Sequence, residues 1–277
     1  MSTFAFVVTA SGLYHRLMAA NLILSSKPFG NYTWYAILDK PLGIGERFIQ
    51  MPEGEKNIWR SQENPRKFYL KFASLEKALK VSSEQYLIFL DCDCVFHGPP
   101  NIAKLTEPGR RSFALLEGDL LRPGVTRYWW WPNEEIREWL GRMDYPHRRF
   151  FNLNAGFFGV RRDSWNEFIV LIERGIGAAV RMNLMLSSGW MTEEPFLSYA
   201  VHMMNGEHDR LLVDRNLDVC FYSGTYPERP LYFQNWGTEK DVPIPERLGI
   251  VHVFQKYDML AADGRKRLEA LGKSPQE

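Results

Sequence analysis

The chain has 277 residues, 45% hydrophobic and 24% charged, with a formal net charge of +1. That length and balance fit one α/β domain with a sizeable core, and they leave no global field to draw in nucleic acid or an acidic membrane. No apolar run approaches the ~18 residues of a membrane span, and an odd count of three cysteines argues against a disulfide framework and suits a reducing cytoplasm.

In chain order, TFAFVVTAS reads as a first, central strand. The segment MSTFAFVVTASGLYHR lacks a basic stretch ahead of its apolar part, so it is not read as a signal peptide. LYHRLMAANLILSS carries apolar residues near helical spacing, and TWYAILDK is a second strand ending at Asp39, stopped by Pro41 and Gly43. NPRKFYLKFASLEKALK is a helix, with Asn64 as its cap and Pro65 in the first turn. QYLIFL is a third strand. Strand, helix, strand, helix, strand predicts a mostly parallel sheet with helices on its faces. Further on, SFALLEGD and NAGFFGV read as strands, RYWWWPNEEIREWL as loop and short helix, and RDSWNEFIVLIERGI as a helix starting near Asp163 or Ser164. TEEPFLSYAVHMM is another helix, LGIVHVF a late strand, and the charged tail from Lys256 is helical in part. The reading is one domain over 1–277, with a motif-bearing core over about 4–257 and a charged tail over 258–277.

The apolar run of the third strand stops at Asp91, Cys92, Asp93, Cys94. Carboxylates at the end of a buried strand need compensation. Ligands bind at the carboxyl ends of strands in open α/β sheets, and strand alternation puts Asp91 and Asp93 on one side. Two convergent carboxylates suit a hard cation such as Mg²⁺ or Mn²⁺, which can also hold a diphosphate. Cys92 and Cys94 read as small apolar packers, because C-x-C without a second pair is a poor zinc signature. Three explanations stay open for DCDCV. It is the D-x-D element of a nucleotide-sugar transferase, the nucleophile motif of a haloacid-dehalogenase-type phosphatase, or a surface turn. The phosphatase expects the motif on the first strand and a later acidic pair, and neither is found.

With FLDCDCVF, FNLNAGFFGVRRDSW, WMTEEPFLSYA and GIVHVFQK in this order, the chain resembles GT-A fold glycosyltransferases, especially the retaining glycogenin-like and blood-group A/B type enzymes. The resemblance implies a Rossmann-like, mostly parallel central sheet flanked by helices. It implies Mn²⁺ (or Mg²⁺) held by Asp91, Asp93 and His252, and a nucleotide sugar, a UDP-hexose above others, as donor. It implies donor contacts from Thr9 and Ala10 at the first strand's end, from Asp39, and from a basic group among Arg66, Lys67 and Lys71. Lys256 would meet the diphosphate, although it follows His252 more closely than in glycogenin-like enzymes. Asn154, Ala155 and Gly156 would let the backbone approach the donor. Glu194 would lie near the anomeric carbon and Glu193 would bind donor hydroxyls, while two acids before Pro195 also suit a helix start. Trp129, Trp130 and Trp131 cannot all face one core, so an acceptor glycan or lipid stacks there or the loop plugs onto the domain; Asp119 is a further acceptor contact. A non-catalytic sugar-nucleotide-binding relic of the same fold is the remaining class. Nothing in the sequence sets the acceptor, the donor sugar or the oligomeric state.

Overall fold

The computed structural model describes residues 3–60, 69–100, 102–106, 109–119, 131–184, 193–205, 212–213, 219–223, 249–254 and 257–274. Its first strand, β1 (Phe4–Ala10), is followed by α1 (Leu13–Ser26), β2 (Trp34–Leu38), β3 (Arg47–Gln50), α2 (Glu53–Arg60) and α3 (Leu70–Val81). Next come β4 (Tyr86–Leu90), β5 (Cys94–Phe96), the one-turn α4 (Ile102–Leu105), β6 (Ser112–Asp119), α5 (Asn133–Arg142) and β7 (Phe151–Arg161). The chain continues through α6 (Trp165–Arg181), α7 (Glu194–Asn205), β8 (Leu212–Val213), β9 (Val219–Ser223), β10 (Ile250–Phe254) and α8 (Tyr257–Ala270).

The main sheet runs β3-β2-β1-β4-β7-β6-β8. Strands β3, β2, β1 and β4 pair in parallel, β7 runs antiparallel to both β4 and β6, and β6 pairs in parallel with β8. Alternation along β1 divides its side chains between two cores. Phe6, Val8 and Ala10 join α1 and α8, whereas Ala5 and Val7 join α3, α5, α6 and α7. Both faces of the sheet are therefore covered, and this is why β4 reads as a continuous apolar run and β7 is buried along nearly its whole length.

Helix α1 is buried from Arg16 to Ser26 because the sheet lies on one side and α8 on the other. The tail, read as charged, thus forms a core helix. Leu260, Ala261 and Leu268 face inward while Arg265, Lys266 and Arg267 stay outside. Gly264 lets the two helices touch, since a Cβ there would lie 1.9 Å from the Leu17 carbonyl oxygen.

A second, smaller sheet has the order β5-β10-β9. Strand β5 follows the D-x-D segment directly and pairs antiparallel with β10, setting His252 opposite Cys94. Its three residues, and the short polar β3, lie below the length at which periodicity speaks. The ladder between β6 and β7 is irregular. It steps from Ala114–Phe158 to Leu115–Asn154, so residues 155–157 bend toward β4 instead.

Candidate active site

One expectation changes at the D-x-D motif. Strand β4 ends at Leu90, and Asp91–Asp93 form a turn closed by the Cys94 N–H on the Asp91 carbonyl at 3.1 Å. Strand alternation therefore does not place the two carboxylates; the turn does. It is held against the bent part of β7, where the Asp91 N–H donates to the Gly156 carbonyl at 2.9 Å and Cys94 Sγ lies 3.7 Å from the same oxygen. Asp93 is buried, and the Asp91 side chain is 24% exposed. Burial pushes both thiols, Cys92 and Cys94, well above their usual range, with the aspartates adding to the effect. They pack as neutral thiols in the protein without a metal, as small apolar residues do.

Lys71 reaches into this turn from the first part of α3. Its ammonium donates to Asp91 Oδ2 at 2.9 Å, to the Ala155 carbonyl at 3.3 Å, and pairs with Glu193 Oε1 at 2.6 Å. Burial alone would lower Lys71, but Asp91 and Glu193 outweigh it and carry it far up. Burial pushes Glu193 up, against the pull of Lys71. One cation thus ties the acidic turn, the bent strand and the start of α7 together.

Glu193 also starts α7, its carbonyl accepting the Leu197 N–H at 2.9 Å. Glu194, the first residue of that helix, is buried and takes one amide on each oxygen: Asn154 Nδ2 at 3.2 Å and Asn152 Nδ2 at 3.4 Å. Two donors fix the plane of its carboxylate. Asn154 in turn accepts the Gly156 N–H at 2.7 Å through Oδ1. Asn152 escaped the sequence reading, yet its signal was present: residues two apart on a strand share a face.

At the end of β1, Thr9 and Ala10 are buried, and the Thr9 hydroxyl donates to the Ile37 carbonyl at 3.2 Å. Asp39 accepts the Gly12 N–H at 2.9 Å and pairs with Arg16 Nε at 3.2 Å. That pair joins the end of β2 to the start of α1. Arg16 was not foreseen, because a buried arginine carries no periodic signal. A cavity of about 430 Å³ lined by Leu13, Arg16, Leu17, Leu42, Leu268 and Lys273 touches Arg16 and none of the D-x-D residues.

Lys67, Lys256, Trp129 and Trp130 lie outside the described residues. Trp131 is a core residue, packed edge-on against Trp139 and Phe196, and offers no open face for a sugar. Asp119 stands opposite Phe151 in the β6–β7 ladder. For a divalent ion, the fit rests on donor chemistry. The Asp91 and Asp93 carboxylates supply hard oxygens, and His252 stands in register beside them on β10. Among the described residues, no group of three His, Cys, Asp or Glu side chains is placed to hold a metal ion.

A sheet of order 3-2-1-4-7-6 with one reversed strand, covered by helices on both faces, is the GT-A fold. Among solved structures, the chain is similar to mouse xyloside xylosyltransferase 1 in its apo form. The TM-score is 0.52 at 9% identity, over 92% of this chain and 98% of that one. It is likewise similar to the galactosyltransferase LgtC in complex with donor and acceptor sugar analogues, with a TM-score of 0.52, 12% identity and coverage of 94% and 95%. An active-site mutant of LgtC gives 0.53 and 11% over 94% of each chain. No family model and no curated protein matches the sequence.

Proposed function

We propose that the protein is a single-domain, metal-dependent glycosyltransferase that moves a sugar from a nucleotide donor, a UDP-hexose, to an acceptor with retention at the anomeric carbon. The observation that carries this reading is the joint held by Lys71. An acidic turn suited to a cation and a buried carboxylate at the start of α7 are tied to one ammonium, within a fold that glycosyltransferases share.

Asp91, Asp93 and His252 would hold Mn²⁺ or Mg²⁺, which when bound supplies Lewis-acid stabilisation of the departing diphosphate. The chain's own groups do the rest. Lys71, with Lys67 and Lys256 as further candidates, offsets charge growing on the leaving group. Thr9, Ala10 and Asp39 border the nucleoside. Asn154, Ala155 and Gly156 bring the backbone close to the donor sugar, and Glu193 accepts its hydroxyls. Glu194, oriented by two amides, stabilises positive charge on the anomeric carbon, or attacks it as the bond to the diphosphate breaks and is displaced in turn by the acceptor hydroxyl, which gives retention. Two free, buried thiols among the described residues accord with work in a reducing compartment such as the cytoplasm.

Calorimetry with UDP tests the first half. Saturable heat is expected with Mn²⁺ and none with EDTA; a flat trace in Mn²⁺ sinks the reading. UDP release from a panel of UDP-hexoses tests the second half. Glu194→Gln should bind UDP as the parent does while losing at least a hundredfold in turnover. Binding without turnover in the parent would mark a non-catalytic binder, and phosphate release from p-nitrophenyl phosphate lost in Asp91→Asn would mark a phosphatase.

A further inference from the structure

Tyr69 stands two residues before Lys71, in the N-cap position of α3. Its ring bridges two helices, 6.4 Å from Phe72 of α3 and 6.2 Å from Phe196 of α7, centre to centre. Phe196 follows Glu193 by three residues and is itself packed edge-on against Trp131 and Trp139. The ring is therefore fixed by packing, and it carries its hydroxyl toward the start of α7. That hydroxyl is buried and has no hydrogen-bond partner among the described residues. Burial first, and the Glu193 charge second, hold it above the usual phenol range. It keeps its proton and stands within electrostatic reach of the Glu193 carboxylate as an unused donor. A buried hydroxyl left unpaired is unfavourable in the free protein, so a partner in another state of the site would account for it.

Lys71 shows which state that is. An ammonium has three N–H groups, and those of Lys71 serve Asp91 Oδ2, the Ala155 carbonyl and Glu193 Oε1. All three are in use, so a phosphate oxygen reaches Lys71 only by displacing a present partner. Asp91 belongs to the acidic turn, where the transferase reading places the diphosphate, whereas Glu193 belongs to α7. An ammonium drawn toward the turn loosens its hold on Glu193. The Glu193 side chain is 3% exposed, so water does not replace the departing cation, and a buried charge without a partner is costly.

Resting on the transferase reading above, we propose that Tyr69 is a positioning residue for donor binding, whose hydroxyl takes over the Glu193 carboxylate as Lys71 turns to the donor diphosphate. The exchange moves hydrogen bonds and transfers no proton. One oxygen of Glu193 then accepts from Tyr69, and the other is open to a hydroxyl of the donor sugar. A ring already held between α3 and α7 loses little freedom in making the bond.

The test joins a double-mutant cycle, read by thermal melts at pH 8, to calorimetric titrations of UDP in Mn²⁺. In the parent, Tyr69→Phe removes an unpaired hydroxyl and should leave Tm unchanged or higher. In Lys71→Met the handover has already taken place, so adding Tyr69→Phe should lower Tm by roughly a further 2–4 °C, the loss of one hydrogen bond. Tyr69→Phe alone should bind UDP about fivefold more weakly or worse, since Glu193 then has no substitute donor. Tyr199→Phe removes another buried, unpaired hydroxyl from α7 and should neither lower Tm nor change UDP affinity. No UDP heat in the parent removes the transferase reading and this proposal with it. With normal UDP heat in the parent, an equal Tm loss in both backgrounds (the mark of a purely structural tyrosine), no loss in either, or unchanged UDP affinity in Tyr69→Phe overturns the positioning role alone. Where Lys71→Met fails to fold, the UDP affinity of Tyr69→Phe decides.

Discussion

Lys71→Met removes one ammonium and keeps the length of the side chain. Glu193 (3% exposed) and Asp91 (24% exposed) are then left without their common partner. Breaking a buried ion pair from one side costs about 3–5 kcal/mol. Water reaches Asp91, so the low end, ~3 kcal/mol at neutral pH, is expected. For a chain of this size, that is a fall of roughly 6–12 °C in Tm. The pH dependence has a definite sign. Burial already raises Glu193 above its ordinary value of 4.5, with Lys71 pulling the other way. A raised carboxyl binds its proton more tightly folded than unfolded, so its share of stability is present below that value and is lost as pH rises through the folded one. Taking away Lys71 raises Glu193 further. The deficit of the variant should therefore widen from pH 5 to pH 8 and shrink on acidification, because the neutral carboxyls no longer need a cation. Thermal melts followed by circular dichroism across that range measure it. A variant that melts with the parent at pH 8, or whose deficit grows toward acid, refutes the electrostatic joint.

Gly264→Ala places a methyl group 1.9 Å from the Leu17 carbonyl oxygen and should cost about 2–3 kcal/mol by overpacking, read in urea unfolding. Trp131→Ala should cost about 3–5 kcal/mol in the same assay, as a core truncation does. Asn154→Ala removes one of the two amides that orient Glu194, and turnover should fall roughly tenfold to a hundredfold, as for hydrogen bonds to charged groups, with UDP affinity kept. Tyr14→Phe loses the 2.8 Å hydrogen bond to Asp258 at an exposed position and should change stability by less than ~1 kcal/mol.

Long apolar elements were legible in the residues. Leu13–Ser26 and the helix after Glu193 sit where spacing put them, because each buries a whole face or both, and Ser112–Asp119 is the strand its apolar residues indicated. Elements below one period were not, and β5 is the costly omission, since it fixes His252 beside the D-x-D turn. The acidic residues themselves stood out, as charges ending an apolar run do. Their wiring did not. That Lys71 pairs with Asp91 and Glu193 at once depends on the start of α7 joining α3 and the end of β4 from more than a hundred residues further along the chain. Arg16 and Asn152 show the same limit: each acquires its role from a partner, Asp39 or Glu194, that only tertiary folding supplies.

The embrace of α1 by α8 has a kinetic implication. On the ribosome, β1, α1, β2 and β4 emerge early and are able to pair among themselves, yet one side of α1 stays bare until Leu260, Ala261 and Leu268 are synthesised. The N-terminal half would then wait, sticky and half-finished, for nearly the whole of translation. Stalled or prematurely terminated chains lacking those last turns are expected to be captured by chaperones or to clump.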